Sequence, residues 1–189
     1  MQTLRILSTL CLTLALIGCA APARVEQMQT NTNMATRTAV DKSPMREAVA
    51  IRDVTGGKDT NPMWVSNVSS SDFERALELS LKDAGLLAAN KHGSKYVLVA
   101  HLSKLDQPFA GASMTVTATV RYILVDRLTN KEVLEKTLAT PYTAAWNEAF
   151  LGTERLKLAN EGAVRANIQQ LIDALVALKV ASTDVQIGK

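Results

Sequence analysis

The stretch "SMTVTATVRYILVD", residues 113–126, decides the fold. Met114, Val116, Ala118, Val120, Tyr122 and Leu124 occupy alternate positions, with Thr115, Thr117, Thr119 and Arg121 between them. A period of two puts the two sets on opposite faces of a strand, the first toward a core and the second away from it. Downstream, "RLTNK" (127–131) turns the chain into "EVLEKTLATPY" (132–142), a further strand. Upstream, "YVLVAHLSKL" (96–105) is strand-like. "REAVAIRDV" (46–54) is strand-like too, though it alternates poorly, and "TGG" ends it with a turn.

Two helices complete the pattern. In "SDFERALELSLKDAG" (71–85), Ser71 precedes Glu74 by three residues, the spacing of a capping box. Phe73, Ala76, Leu77, Ser80, Leu81 and Ala84 follow helical spacing, and Gly85 suits the C-terminal cap. "TERLKLANEGAVRANIQQLIDALVALK" (153–179) is a long helix whose stripe is Val164, Ile168, Leu171, Leu175 and Leu178. Gly162, beside Ala159, Ala163 and Ala166, lets that helix approach a sheet closely, at about 1 kcal/mol of helix propensity. The order β-α-β-β-β-α predicts an α+β fold, a two-layer α/β arrangement with both helices on one face of a mixed four-stranded sheet. A right-handed crossover makes the first two strands parallel, and the remaining turns make an antiparallel meander. On the outer face Val97 and Val99 should lie near Ile123 and Val125, a small apolar patch that a segment such as 36–40, or a second subunit, would cover.

The beginning of the chain carries an address. Arg5 is the only charge before an apolar run of about a dozen residues, 6–17, too short for the roughly 20 residues that a membrane-spanning helix needs. Small residues follow, and the whole describes a secretory signal over 1–18. Leu16-Ile17-Gly18-Cys19 resembles the lipobox of bacterial lipoproteins. The resemblance implies cleavage before Cys19 and acylation of that cysteine, and two or more chains suffice for stable anchoring. Ala20, rather than an aspartate, follows the cysteine, which by the same resemblance implies the periplasmic face of the outer membrane. Residues 19–44, rich in Ala, Thr, Asn and Gln, read as a flexible tether. Residues 45–180 are then a single domain and 181–189 a frayed tail.

The mature chain offers little chemistry. Cys11 leaves with the signal and Cys19 is consumed by lipid, so the domain has no thiol for a disulfide, a metal or a nucleophile. The formal net charge of the full sequence, +3, is mixed along the chain, with no basic stripe to suggest nucleic acid. His92 lies in a polar loop and His101 should face outward; two histidines do not make a metal site, and no cofactor is expected. No G-x-S-x-G elbow occurs, and "TGGK" lacks the spacing of a phosphate loop. The carboxylates Asp53 with Asp59, and Glu148 with Glu154, read as solvated surface acids.

Aromatic placement says more. Trp64, Phe109, Tyr142, Trp146 and Phe150 all sit at or beyond strand ends. With strands one, two and four parallel, the loops 56–70, 106–112 and 142–152 share one edge, where both helices also begin with unpaired N–H groups. These aromatics either roof the core or form a partner surface, and the tether is expected to leave from the opposite end. Over 48–178 the stretches "WVSNVSSSDFERALELSLKDAGLL", "LDQPFAGASMTVTATVRYILVD" and "TPYTAAWNEAFLGTERLKLANEGAVRANIQQLIDAL" resemble a group of small, largely uncharacterised proteobacterial lipoproteins, and the element order is similar to that of envelope-assembly lipoproteins. The resemblance carries no catalytic residue to transfer, and the expected function is that of a non-enzymatic module, held to the membrane by its lipid anchor, that binds an envelope protein. The alternatives are a periplasmic carrier of a small apolar or lipid ligand, and a hydrolase whose site has no recognisable signature. A carrier requires an apolar cavity between helices and sheet.

Overall fold

The computed structural model describes residues 20–62 and 65–178. Two short helices, Val25–Met28 (α1) and Met34–Asp41 (α2), precede Val49–Thr55 (β1) and Ser70–Asp83 (α3). Tyr96–Asp106 (β2), Met114–Asp126 (β3), Glu132–Ala144 (β4) and Gly152–Ala177 (α4) follow. The sheet order is β1-β2-β3-β4, with β1 parallel to β2 and the other pairs antiparallel. Both α3 and α4 pack on one face of this sheet, giving the β-α-β-β-β-α arrangement expected from the sequence.

The faces of β3 follow its alternation. Met114, Val116, Ala118, Val120, Tyr122 and Leu124 are all buried, while Thr115 and Arg121 are exposed. β2 keeps its apolar side inward by a bulge: Leu102 pairs with Val120 but Lys104 pairs with Thr119. Ser103 is the extra residue, and it returns Leu105 to the core side. β1 has a similar slip between Ile51 and Asp53, which explains its poor alternation. It also begins at Val49 rather than at residue 46. Glu47 takes a left-handed φ of 48° in the preceding turn and donates its N–H to Gly85 O at 2.9 Å.

The cap of α3 is Ser69, not Ser71. Ser69 Oγ accepts from the Asp72 N–H at 3.1 Å and donates to Asp72 Oδ2 at 2.7 Å. Three successive serines leave the sequence ambiguous, and burial decides. With Ser69 as cap, the residue before it, Val68, and the fourth helical residue, Phe73, are both buried, as a hydrophobic staple requires. At the other end Gly85, with φ +76°, donates to Lys82 O while Leu86 N–H reaches Leu81 O, the two bonds of a Schellman motif.

In α4 the stripe Val164, Ile168, Leu171 and Leu175 is buried, and Leu178 falls just past the helix end. Gly162 gives the expected close approach: a Cβ there would lie 2.2 Å from Cδ1 of the Tyr142 ring on β4. Polar residues are buried on the same helix. Asn167, fully buried, accepts from Tyr122 Oη at 2.8 Å and donates through Nδ2 to Leu138 O at 2.9 Å and Thr140 Oγ1 at 3.0 Å. Burial pushes the Tyr122 phenol well above its ordinary pKa, so it remains a donor.

The segment 20–44 differs from the expected free tether. It is a strap laid across α3 and α4, with Met28 and Val40 buried and Met45 buried at its end. Arg24 donates from Nε and Nη2 to the two oxygens of Glu161, at 2.9 and 3.0 Å, and its backbone N–H donates to Oε1 as well. That carboxylate is 2% exposed, and its hydrogen bond holds the Arg24 guanidinium above its ordinary pKa. Further along, Thr30 N–H donates to Ser80 Oγ at 3.0 Å and Thr32 N–H to Asp83 Oδ2 at 2.8 Å. Arg37 pairs with Asp83, and Arg165 donates to Gln27 O. Residues 36–40 therefore lie in α2 on the helical side. They do not cover Val97, Val99, Ile123 and Val125 on the outer sheet face.

Candidate functional site

Three loops, 56–69, 107–113 and 145–151, follow or precede strand ends at one edge of the domain. Two glycines draw the first of them inward. A Cβ on Gly56, at φ +87°, would lie 2.2 Å from Leu102 O, and one on Gly57 would lie 2.3 Å from Ser70 N. "TGGK" ends β1 as expected, and its glycines are held against β2 and the start of α3.

Polar groups bind the loops to α4. Asn160, with no exposure, donates from Nδ2 to Ser66 O at 2.9 Å, and its Oδ1 accepts from Gln107 Nε2 at 2.8 Å. Gln107 Nε2 reaches Ser66 O as well, at 2.8 Å. The third loop has its own scaffold. Glu148 Oε1 accepts from Ala145 N–H at 2.6 Å, and Arg155 Nη1 donates to Ala149 O at 2.6 Å and Phe150 O at 2.9 Å. Trp146 and Phe150 are presented outward from this tied turn and share a shallow groove with Ala112 of the second loop.

The five aromatics do not behave alike. Phe109 is fully exposed, Phe150 is 97% exposed and Trp146 is 69% exposed, so these three do not roof the core. Tyr142 is half-buried over Gly162, with the Arg165 guanidinium 5.8 Å from its ring centroid, and serves packing. Trp64 and Cys19 lie outside the described residues.

The strap also begins at this edge. Ala20 N–H donates to Pro62 O at 2.8 Å, and Ala23 N–H to Asn67 O at 3.3 Å. The chain therefore enters beside the exposed aromatics, rather than at the opposite end as the sequence suggested. The physical reason is the Arg24–Glu161 clamp. It fixes the segment beside the third turn of α4, near that helix's start.

The polar candidates are engaged locally. His101 faces outward, its Nδ1 2.9 Å from Thr55 Oγ1, and exposed His92 lies in the loop before β2. Asp53 pairs with Arg52 and Glu154 with Lys157, while Glu148 serves the turn described above. Among the described residues no three His, Cys, Asp or Glu are gathered as a metal site.

Phe73, Leu77, Leu81, Tyr96, Leu98, Ile168 and Leu171 fill the space between helices and sheet, each without solvent exposure. A groove of about 530 Å³ beside α3 and β1 is open and mixed in character, lined by Glu74, Glu78, Lys82 and Lys91 with Ala50, Ile51 and Leu87.

A two-layer α+β domain carrying a strap that starts at its aromatic loop edge is what the fold and this site define. The fold is shared with solved proteins of low sequence identity. Protein XCC0632 of Xanthomonas campestris matches with a TM-score of 0.53 at 14% identity, over 68% of this chain and 83% of that one. A single-substitution variant of the PelC dodecamer of Paraburkholderia phytofirmans matches with a TM-score of 0.50 at 13% identity, over 71% of this chain and 92% of the PelC chain. A minor lipoprotein of Acinetobacter baumannii matches with a TM-score of 0.45 at 16% identity, over 70% of this chain and 92% of its own. No protein-family model matches the chain, and no curated protein matches it in sequence.

Proposed function

We propose that the chain is a bacterial lipoprotein, acylated at Cys19 and held at the periplasmic face of the outer membrane. There it works by binding an envelope partner rather than by catalysis. The observation that carries this reading is the junction of anchor and domain. The box Leu16-Ile17-Gly18-Cys19 ends one residue before Ala20, and Ala20 is already hydrogen-bonded to the domain at Pro62. No spacer separates lipid from fold, so the domain sits directly on the bilayer. Its opposite edge, with the loop before β2 and the β3–β4 hairpin, then points into the periplasm. The filled space between helices and sheet favours binding by a surface over carriage of an apolar ligand.

The test is expression in a Gram-negative host with labelled palmitate, followed by membrane fractionation and mass spectrometry. The native chain should incorporate label and sediment with outer membrane, and Cys19→Ser should lose both. An intact, unacylated Cys19 in membrane-bound mature protein would contradict the anchor.

A further inference from the structure

We propose that the loop edge is a membrane-docking surface: Phe109, Trp146, Phe150 and Leu151 enter the interfacial region of the same bilayer that holds the lipid on Cys19. This inference rests on the anchoring reading above and adds to it a second, non-covalent contact with the membrane.

Six large apolar side chains are exposed among the described residues, and four of them, Phe109, Trp146, Phe150 and Leu151, stand on two adjacent loops of one edge. Met34 and Leu128, the other two, stand singly elsewhere, as surface apolar residues ordinarily do. A grouped apolar surface on a domain whose core is otherwise filled marks an interaction site.

Where the chain ends identifies the occupant. Ala20 is pinned at this edge, and Cys19 is one peptide step away, about 3.8 Å between Cα atoms. The acyl chains therefore enter the bilayer beside the loops, with too little intervening chain to let the domain stand off. Among the described residues no helix is long and apolar enough to cross a membrane, so contact falls to these surface groups. Their chemistry suits the interface. Tryptophan settles at headgroup depth, with its ring body in apolar surroundings and its N–H in the wet zone, and phenylalanine reaches slightly deeper.

The loop that carries Trp146 and Phe150 is also built to hold such a pose. There Ala145 N–H donates to Glu148 Oε1, and the carbonyls of Ala149 and Phe150 accept from Arg155. Those main-chain groups then keep their partners on docking.

The experiment uses the full-length acylated protein in vesicles of phosphatidylethanolamine and phosphatidylglycerol. Trp64→Phe leaves Trp146 as the only tryptophan, and lipids carry a nitroxide either near the glycerol or near the chain end. Trp146 emission should shift to the blue and be quenched more by the shallow nitroxide. Phe109→Ser with Phe150→Ser should abolish the quenching, with the melting temperature and the vesicle attachment through Cys19 unchanged. If Cys19 is acylated and Trp146 remains open to aqueous iodide with no nitroxide quenching, the docking proposal is overturned and the anchor stands. If mass spectrometry finds Cys19 unacylated, the anchor reading fails. Nitroxide quenching of Trp146 in that protein would still support docking, and its absence would overturn both. An edge that instead captures a protein partner gives lost iodide access in cells but none of the nitroxide effect, which also overturns the proposal.

Discussion

Val120→Asp should abolish the folded domain. Val120 has no solvent exposure, lies in the middle of β3 opposite Leu138 of β4, and faces the helical layer. A carboxylate there would be buried near Asn167, whose amide is already engaged by Tyr122, Leu138 O and Thr140, and an unpaired buried charge is among the costliest substitutions. Losses above about 4–5 kcal/mol are a large share of the roughly 5–15 kcal/mol that holds a domain folded. Leu171→Asp on α4 should do the same from the other layer. Thr119→Asp tests the outer face: Thr119 is one residue earlier, half-buried, and sits across from Lys104 on β2. Its expected change is within about 0.5 kcal/mol. Thermal unfolding followed by circular dichroism compares the three, and equal losses at Val120 and Thr119 would mean that the faces of β3 are reversed.

Arg24→Ala should cost about 3 kcal/mol, the low end for stranding one member of a buried pair. The low end applies because the Arg24 side chain is 46% exposed, so its removal lets water reach Glu161. The loss should appear as early melting of the strap followed by a lowered global transition. Arg24→Ala combined with Glu161→Leu should recover part of the stability, because removing both partners leaves no orphaned carboxylate. A double variant that loses the sum of the two single changes would show that the pair is not coupled.

The strap and the sheet mark the two extremes of what residues disclose. β3 is legible because burial repeats every second residue and a strand has only two faces. The strap has Val25, Met28, Val40 and Met45 scattered among Thr, Asn and Gln, with no period of two or 3.6. Its order comes from partners about 50 to 138 residues away: Ser80, Asp83, Glu161 and Arg165. No local pattern announces such bonds. The same holds for α4, where Asn160, Glu161 and Asn167 look like surface residues until their partners on the strap, loops and sheet are known. A signal was present nonetheless. Asn160 and Glu161 lie beside Gly162 and one turn before Val164, inside the apolar half of the helix, so they were positioned for burial.

The candidate edge was legible in part. Its aromatics follow from strand ends and the parallel crossover, and Phe109, Trp146 and Phe150 are exposed there. That the chain enters at this edge follows only from Arg24 meeting Glu161 and Ala20 meeting Pro62.

The strap is an ordered part of the domain from its first residues. Amide hydrogen exchange over residues 23–45 of the full-length protein measures this most directly. The N–H groups of Ala23, Arg24, Thr30 and Thr32 each donate to an acceptor in the body of the domain. They should exchange slowly, with protection approaching that of the α3 amides, and Arg24→Ala should release them while β3 stays protected. Exchange of all four at the rate of a free chain in the native protein would contradict the account.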